Sequence, residues 1–148
     1  MTKTILCVLL ILAPAWHLAV TTPDSRFYVR QEREETPDRT LLSWEKREAR
    51  RDTDDGRHTR AEDVAALAEK IGTEKAGRFD YTVSLKEYDC RRRYLRFREV
   101  HYYDSKGAEL YAAEPVKDFN AEWTKPVPGT AAEQLFELAC EKPVELQD

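Results

Sequence analysis

The sequence predicts an α+β fold: an antiparallel β-sheet with a C-terminal helix clamped to it by a disulfide, plus one short inserted helix. Apolar and polar residues alternate from Phe79 to Lys86, which is typical of a strand with one buried face. Apolar residues at helical spacing between 64 and 71, and again between 131 and 140, indicate two helices. Beyond an apolar leader, Cys90 and Cys140 remain as an even pair of cysteines.

Composition restricts the class of protein. The chain has 148 residues, with 24 Lys+Arg against 28 Asp+Glu and a formal net charge of −4. This length is typical of one domain. A mildly acidic chain lacks the strong basicity of a nucleic-acid-binding domain, so we expect no nucleic-acid partner. Its aromatic and aliphatic content argues against disorder.

Residues 1–15 have the features of a signal peptide. Lys3 precedes an apolar run from Thr4 to Ala13, and Ala13-Pro14-Ala15 offers the small residues of a cleavage site. We therefore expect export to the periplasm, cell surface or medium, with a mature chain beginning near Trp16. The alternative is an uncleaved leader, which would be the chain's attachment to the membrane. Cys7 lies inside the apolar run and does not resemble a lipidation site.

The sequence divides the rest of the chain into a polar lead-in over 16–25, a single domain over 26–142 and a tail over 143–148. Strand-like runs over 26–33 and 40–48 flank Pro37 and Asp38, so they predict a hairpin. The charged segment 49–60 contains a glycine and is predicted as a loop.

The inserted helix is predicted to begin at Thr59, which forms a T-x-x-E capping box with Glu62, and to end at Gly72. It carries an apolar stripe of Val64, Leu67, Ala68 and Ile71.

The predicted sheet continues through three strands. Phe79, Tyr81, Val83 and Leu85 form the apolar face of the first, and a change of parity near Lys86 and Glu87 indicates a bulge. Strands over 94–103 and 108–112 flank the turn 104–107.

The segment from 114 to 130 is rich in proline and is predicted as a loop with Trp123 buried. Thr130 and Glu133 form a second capping box at the start of the last helix, which Pro143 ends.

In an oxidising compartment, Cys90 and Cys140 are most simply a disulfide. The alternatives are a metal site or a catalytic thiol, but the chain has no C-x-x-C motif and no histidine at ligand spacing from either cysteine. Since Cys90 ends a strand and Cys140 lies on the last helix, the bridge would clamp that helix to the sheet.

The stretch from Asp80 to Cys140 contains a series of motifs in a characteristic order. They are Tyr88-Asp89-Cys90, the aromatic strand that follows, Tyr103-Asp104-Ser105-Lys106-Gly107, Trp123, the segment 126–130, and Leu135 to Cys140. In these motifs the chain resembles the surface-adhesin protein E-like domain family of bacterial exported proteins. The resemblance implies an antiparallel sheet with a disulfide-tied C-terminal helix, and adhesin members that bind host proteins and can form homodimers. The leader has no lipobox, and the insert 57–77 is not part of the family pattern.

One dense basic cluster is the candidate surface for an anionic partner, whether a glycan, a lipid headgroup or an acidic protein. The alternative is a solvated face whose charge is balanced by Glu87, Asp89 and Glu99. The cluster consists of Arg91, Arg92, Arg93, Arg96 and Arg98.

The sequence therefore predicts an exported envelope or surface binding module that is not an enzyme and needs no cofactor or metal. One alternative is a structural or assembly protein of the envelope. The other is a small envelope enzyme, for which His101 is the available general base, but no nucleophile or phosphate-loop motif accompanies it.

Overall fold

The computed structural model describes residues 15–141. The predicted signal peptide therefore lies outside the described residues except for Ala15, and the tail 143–148 lies outside them altogether. No helix within 15–141 combines the length and the apolar character that crossing a membrane requires.

The structure confirms an α+β fold built on one antiparallel sheet. The strand order is β1-β2-β4-β5-β6-β7, and the short β3 pairs with β4. The predicted hairpin is present as the β2–β4 pair. The elements are β1 Trp16–Thr21, β2 Ser25–Arg30, β3 Glu34–Glu35, β4 Leu41–Ala49, α1 Asp54–Ile71, α2 Thr73–Ala76, β5 Phe79–Asp89, β6 Tyr94–Asp104, β7 Glu109–Ala112 and α3 Ala131–Cys140.

The segment 16–25 is not a polar lead-in. It forms β1 and the turn into β2, and β1 lies at one edge of the sheet. The pairing register with β2 shifts between Leu18 and Val20, so the apolar residues of β1 do not alternate regularly. Leu18 is 57% exposed while Val20 is buried, and this irregular pattern conceals the strand in the sequence.

Helix α1 is present between β4 and β5, but its N-cap lies six residues before Thr59, the N-cap that the sequence predicts. The N-cap is Thr53, whose hydroxyl accepts a hydrogen bond from the backbone N–H of Gly56 at 3.0 Å. Gly56 resembled a loop signal, yet it is required inside the helix because a Cβ there would lie 2.0 Å from the Arg50 carbonyl oxygen. The predicted end at Gly72 is confirmed.

Two separate hydrophobic clusters hold the helices on the same face of the sheet. The first joins α1 and α2 to the start of β5, and the second joins α3 to its end. The first contains Leu67, Ala76, Phe79 and Leu110, and the second contains Tyr88, Leu95, Phe136 and Ala139.

The predicted apolar face of β5 is divided between the two sides of the sheet. The register with β6 shifts between Phe79 and Tyr81, so Phe79 faces the helices and Tyr81, with the residues that follow it at alternate positions, faces away. The predicted bulge is present as a second shift between Leu85 and Lys86. The pairing with β4 is continuous there, so the extra residue is Arg98 in β6.

The helical side of the sheet contains a buried ion pair. The ammonium of Lys86 lies 2.8 Å from Oε1 of Glu45, and both residues are less than 10% exposed. The Tyr88 hydroxyl donates to the other oxygen of Glu45. Burial raises the pKa of Tyr88 well above its usual value, and the charge of Glu45 adds to this effect. The phenol therefore stays protonated and remains a donor to the carboxylate.

The disulfide between Cys90 and Cys140 is confirmed, with Cα atoms 5.5 Å apart. It joins the turn after β5 to the last residue of α3. Thr130 is confirmed as the N-cap of α3, because its hydroxyl accepts from the backbone N–H of Glu133 at 3.4 Å. The Glu133 carboxylate accepts from the backbone N–H of Gly129 rather than from that of Thr130, so the reciprocal half of the predicted capping box lies one residue earlier. The C-terminal helix is thus clamped to the sheet as the sequence predicts.

Candidate functional site: the helix-free face of the sheet

Alternate side chains of β2, β4, β5 and β6 point away from α1 and α3. We call this surface the helix-free face, since no helix of residues 15–141 packs against it. Aromatic and basic side chains cluster on it across β1, β2, β4, β5 and β6. They are Trp16, Tyr28, Arg30, Trp44, Lys46, Tyr81 and Tyr103.

The Arg30 guanidinium lies between two tryptophan rings. Its central carbon is 4.8 Å from the ring centroid of Trp16 and 5.6 Å from that of Trp44. Such cation–π contacts are each worth about 0.5–2 kcal/mol, depending on exposure. Nε of Arg30 is buried without a hydrogen-bond partner, and no carboxylate among residues 15–141 pairs with the group. Arg30 therefore places a fixed positive charge on the helix-free face.

Lys46 forms a second stack of the same kind. Its ammonium lies 5.4 Å from the ring centroid of Tyr28 and 4.4 Å from that of Tyr81, and Tyr81 stacks on Tyr103 with centroids 5.3 Å apart. Glu48 lies 3.0 Å from the Lys46 ammonium and balances its charge. The two stacks hold the cationic side chains of β2 and β4 in fixed positions, between aromatic rings that extend from β1 to β6.

Arg96 and Arg98, from the predicted basic cluster, lie on the helix-free face together. The bulge at Arg98 turns both side chains toward Glu87, whose oxygen lies 2.8 Å from Arg96 and 3.2 Å from Arg98. Two guanidinium groups therefore share one buried carboxylate. Trp123 is 37% exposed rather than buried as predicted, and the Arg96 guanidinium lies 4.4 Å above its ring.

The other three arginines of the cluster occupy the turn between β5 and β6. Arg93 lies 2.5 Å from Glu137 of α3, with its guanidinium above Phe136. Arg92 lies 3.9 Å from Asp89, and Arg91 is exposed. The structure thus divides the five arginines between the helix-free face and a turn beside α3.

His101 is enclosed by acidic groups. Nε2 lies 3.1 Å from Glu99, and Nδ1 contacts Glu109. Burial lowers the pKa of His101, but the hydrogen bonds and charges of Glu109 and Glu99 outweigh burial and raise it above the ordinary value. Both ring nitrogens are engaged, so His101 contributes to the charge pattern of the face rather than standing free as a base.

Sequence reasoning identified Arg96 and Arg98 from local charge density but missed Arg30 and its tryptophans. Trp16, Arg30 and Trp44 come from three strands, and they meet only through the register that places Trp16 opposite Arg30. The available signal was the alternation along β2. Phe27 and Val29 point to one side of the strand, so Tyr28 and Arg30 point to the other.

A family model described as surface-adhesin protein E matches residues 33–141, which is the greater part of the chain and extends beyond the stretch that carried the resemblance. Neither the curated proteins nor the solved structures gave a match. Family membership indicates a surface or exported protein. This chain belongs to the surface-adhesin protein E family.

Proposed function

We propose that this protein is an exported, non-enzymatic binding module whose helix-free face docks an acidic surface of a protein partner. One observation carries the proposal. Arg96 and Arg98 share the buried carboxylate of Glu87, so two guanidinium groups lie on this face against the one acid that they contact. Arg30 adds a cation without a carboxylate partner among residues 15–141. The match to an adhesin family supports binding rather than catalysis.

The residue types of the helix-free face support a protein partner. Tryptophan, tyrosine and arginine are the residues most enriched where protein interfaces gain their binding energy. The rings and cations are already stacked on one another, so binding would order few additional side chains. The open sheet face is also broad and shallow, and such a surface suits a protein partner better than a small molecule.

The test uses the mature chain on immobilised poly-L-glutamate, a polymer that presents carboxylates as an acidic protein does. We expect retention at low salt that falls as salt rises, because exposed charges are screened over about 10 Å at 0.1 M salt. The double variant Arg96→Glu/Arg98→Glu should elute earlier than the parent protein.

The matched control is Lys75→Glu/Arg78→Glu, which makes the same change in net charge at exposed positions beside α2. It should elute close to the parent. Thermal unfolding of each variant checks folding, and Arg98→Ala, which leaves the Arg96–Glu87 pair intact, serves if the double variant unfolds. Equal retention of the parent, Arg98→Ala and the double variant would contradict the proposal.

A further inference from the structure

The opposite side of the sheet contains a groove of about 320 Å³, lined by residues of β2, β4, β5 and β6 and by the loop that contains Phe119. It lies where neither hydrophobic cluster covers the sheet. Its floor is formed by Thr82, Ser84 and Lys86, which follow one another at alternate positions along β5. Its walls are mainly aromatic and aliphatic, with Phe27 on one side and Phe97, Val100 and Phe119 on the other.

The polar floor is unusual for this position. The middle of a sheet face that carries helices normally belongs to an apolar core, and a buried polar residue is more informative than an exposed apolar one. Thr82, Ser84 and Lys86 are nevertheless all 9% exposed or less. The groove has the volume of a small ligand site, at the lower end of the usual range of roughly 300–1,000 Å³.

Charges at the groove are paired. Lys86 pairs with Glu45 at 2.8 Å, and Arg47 pairs with Asp63 of α1 at 2.6 Å. A charged ligand would lose its hydration on entering the groove, and these groups would offer it no unpaired opposite charge. Binding of a charged ligand would therefore be unfavourable. The hydroxyls of Thr82 and Ser84 can instead donate to or accept from an uncharged ligand. Charge balance therefore favours a neutral occupant.

The wall formed by Phe119 is held in place. Its ring packs edge-on against Phe97 with centroids 6.3 Å apart. The neighbouring Asp118 accepts a hydrogen bond from the Tyr111 hydroxyl at 2.5 Å and lies 3.0 Å from the Lys70 ammonium of α1. The groove is thus formed before any ligand enters, which reduces the entropy cost of binding.

We propose that this groove binds an uncharged amphipathic small molecule. Its apolar ring or short chain would lie against Phe97, Val100 and Phe119, and its hydroxyl or amide edge would face Thr82 and Ser84. The site is separate from the helix-free face, so it goes beyond the proposed docking of a protein partner.

Two fluorescent probes with the same rings and different charge test the proposal. N-phenyl-1-naphthylamine is neutral, and 8-anilinonaphthalene-1-sulfonate is anionic. We expect saturable binding of one neutral molecule per chain and at least about tenfold weaker binding of the sulfonate, since a tenfold ratio needs a difference of only about 1.4 kcal/mol. Absence of saturable binding by the neutral probe, or equal affinity for both, would overturn the proposal.

Substitutions locate the probe. Ser84→Leu fills the groove from its floor and should weaken binding of the neutral probe by about tenfold or more, equivalent to about 1.4 kcal/mol. Val83→Leu enlarges the adjacent residue on the other side of β5 and should bind normally. Val100→Phe narrows the groove from its wall and replaces Ser84→Leu if the latter unfolds on heating. Unchanged affinity in both groove variants would contradict the site.

The two proposals can fail independently. Ser84→Leu should retain normal binding to poly-L-glutamate, because the substitution lies on the side of the sheet away from Arg96 and Arg98. A loss of both activities in a folded Ser84→Leu protein would contradict the separation of the two sites.

Discussion

Replacing Glu45 with alanine is expected to lower the free energy of unfolding by about 3–5 kcal/mol, because it leaves the charge of Lys86 buried without its partner. The Tyr88 hydroxyl also loses its acceptor. Urea unfolding of the mature protein measures the loss.

The control for this prediction replaces the whole pair. In Glu45→Leu/Lys86→Leu neither charge of this pair remains, and the aromatic rings of Phe97 and Tyr88 can pack against the new side chains. Replacing a buried ion pair by apolar residues is often close to neutral. The double variant should therefore be more stable than Glu45→Ala. A double variant that is less stable than the single one would contradict the assignment of the loss to an unpaired charge.

Removal of the disulfide is expected to have an effect of similar size. The bridge joins residues 50 positions apart. For a loop of this length the chain-entropy model gives about 4 kcal/mol, and loss of a native bridge from a small secreted domain typically costs about 2–5 kcal/mol. Cys140→Ser should lower the free energy of unfolding by such an amount, as measured in urea.

Two controls separate the bond from the side chains. The double variant Cys90→Ser/Cys140→Ser removes the same single bond, so its stability should be close to that of Cys140→Ser. Reduction of the parent protein should reproduce the loss without any substitution. A parent protein whose urea midpoint is the same with and without reductant would contradict a stabilising bridge.

The parts of the fold that local patterns determine were predictable. The capping box at Thr130 and the stripe that follows it predicted α3, and the turn 104–107 predicted the β6–β7 hairpin. The cysteine pair predicted how α3 is attached. Each of these signals lies within a few residues of the element that it specifies, or follows from the chemistry of two residues alone.

Features that depend on register were not predictable in the same way. The extra residue Asp80 places Phe79 and Tyr81 on opposite sides of the sheet. Apolar residues that alternate regularly in the sequence therefore do not all lie on one face of the sheet. The start of α1 was missed because Gly56 is a common loop residue, and only its proximity to Arg50 explains it within a helix. The edge strand β1 was missed because it buries little and contains a register shift.

The same distinction applies to the candidate site. Arg96 and Arg98 could be identified because five arginines lie close together in this part of the sequence. The carboxylate that they share depends on a bulge in β6, whereas the sequence pattern predicted the bulge in β5. The Trp16–Arg30–Trp44 stack depends on the pairing of three strands, which no local pattern specifies.

Docking of a partner on the helix-free face can be tested by tryptophan fluorescence. The chain has three tryptophans. Trp16 and Trp44 enclose Arg30 on this face, and Trp123 stacks on Arg96 beside it. We predict that poly-L-glutamate at low salt reduces the quenching of this fluorescence by acrylamide, and that high salt restores it. If the polymer binds and acrylamide quenching stays unchanged, the partner lies elsewhere, which would contradict docking on the helix-free face.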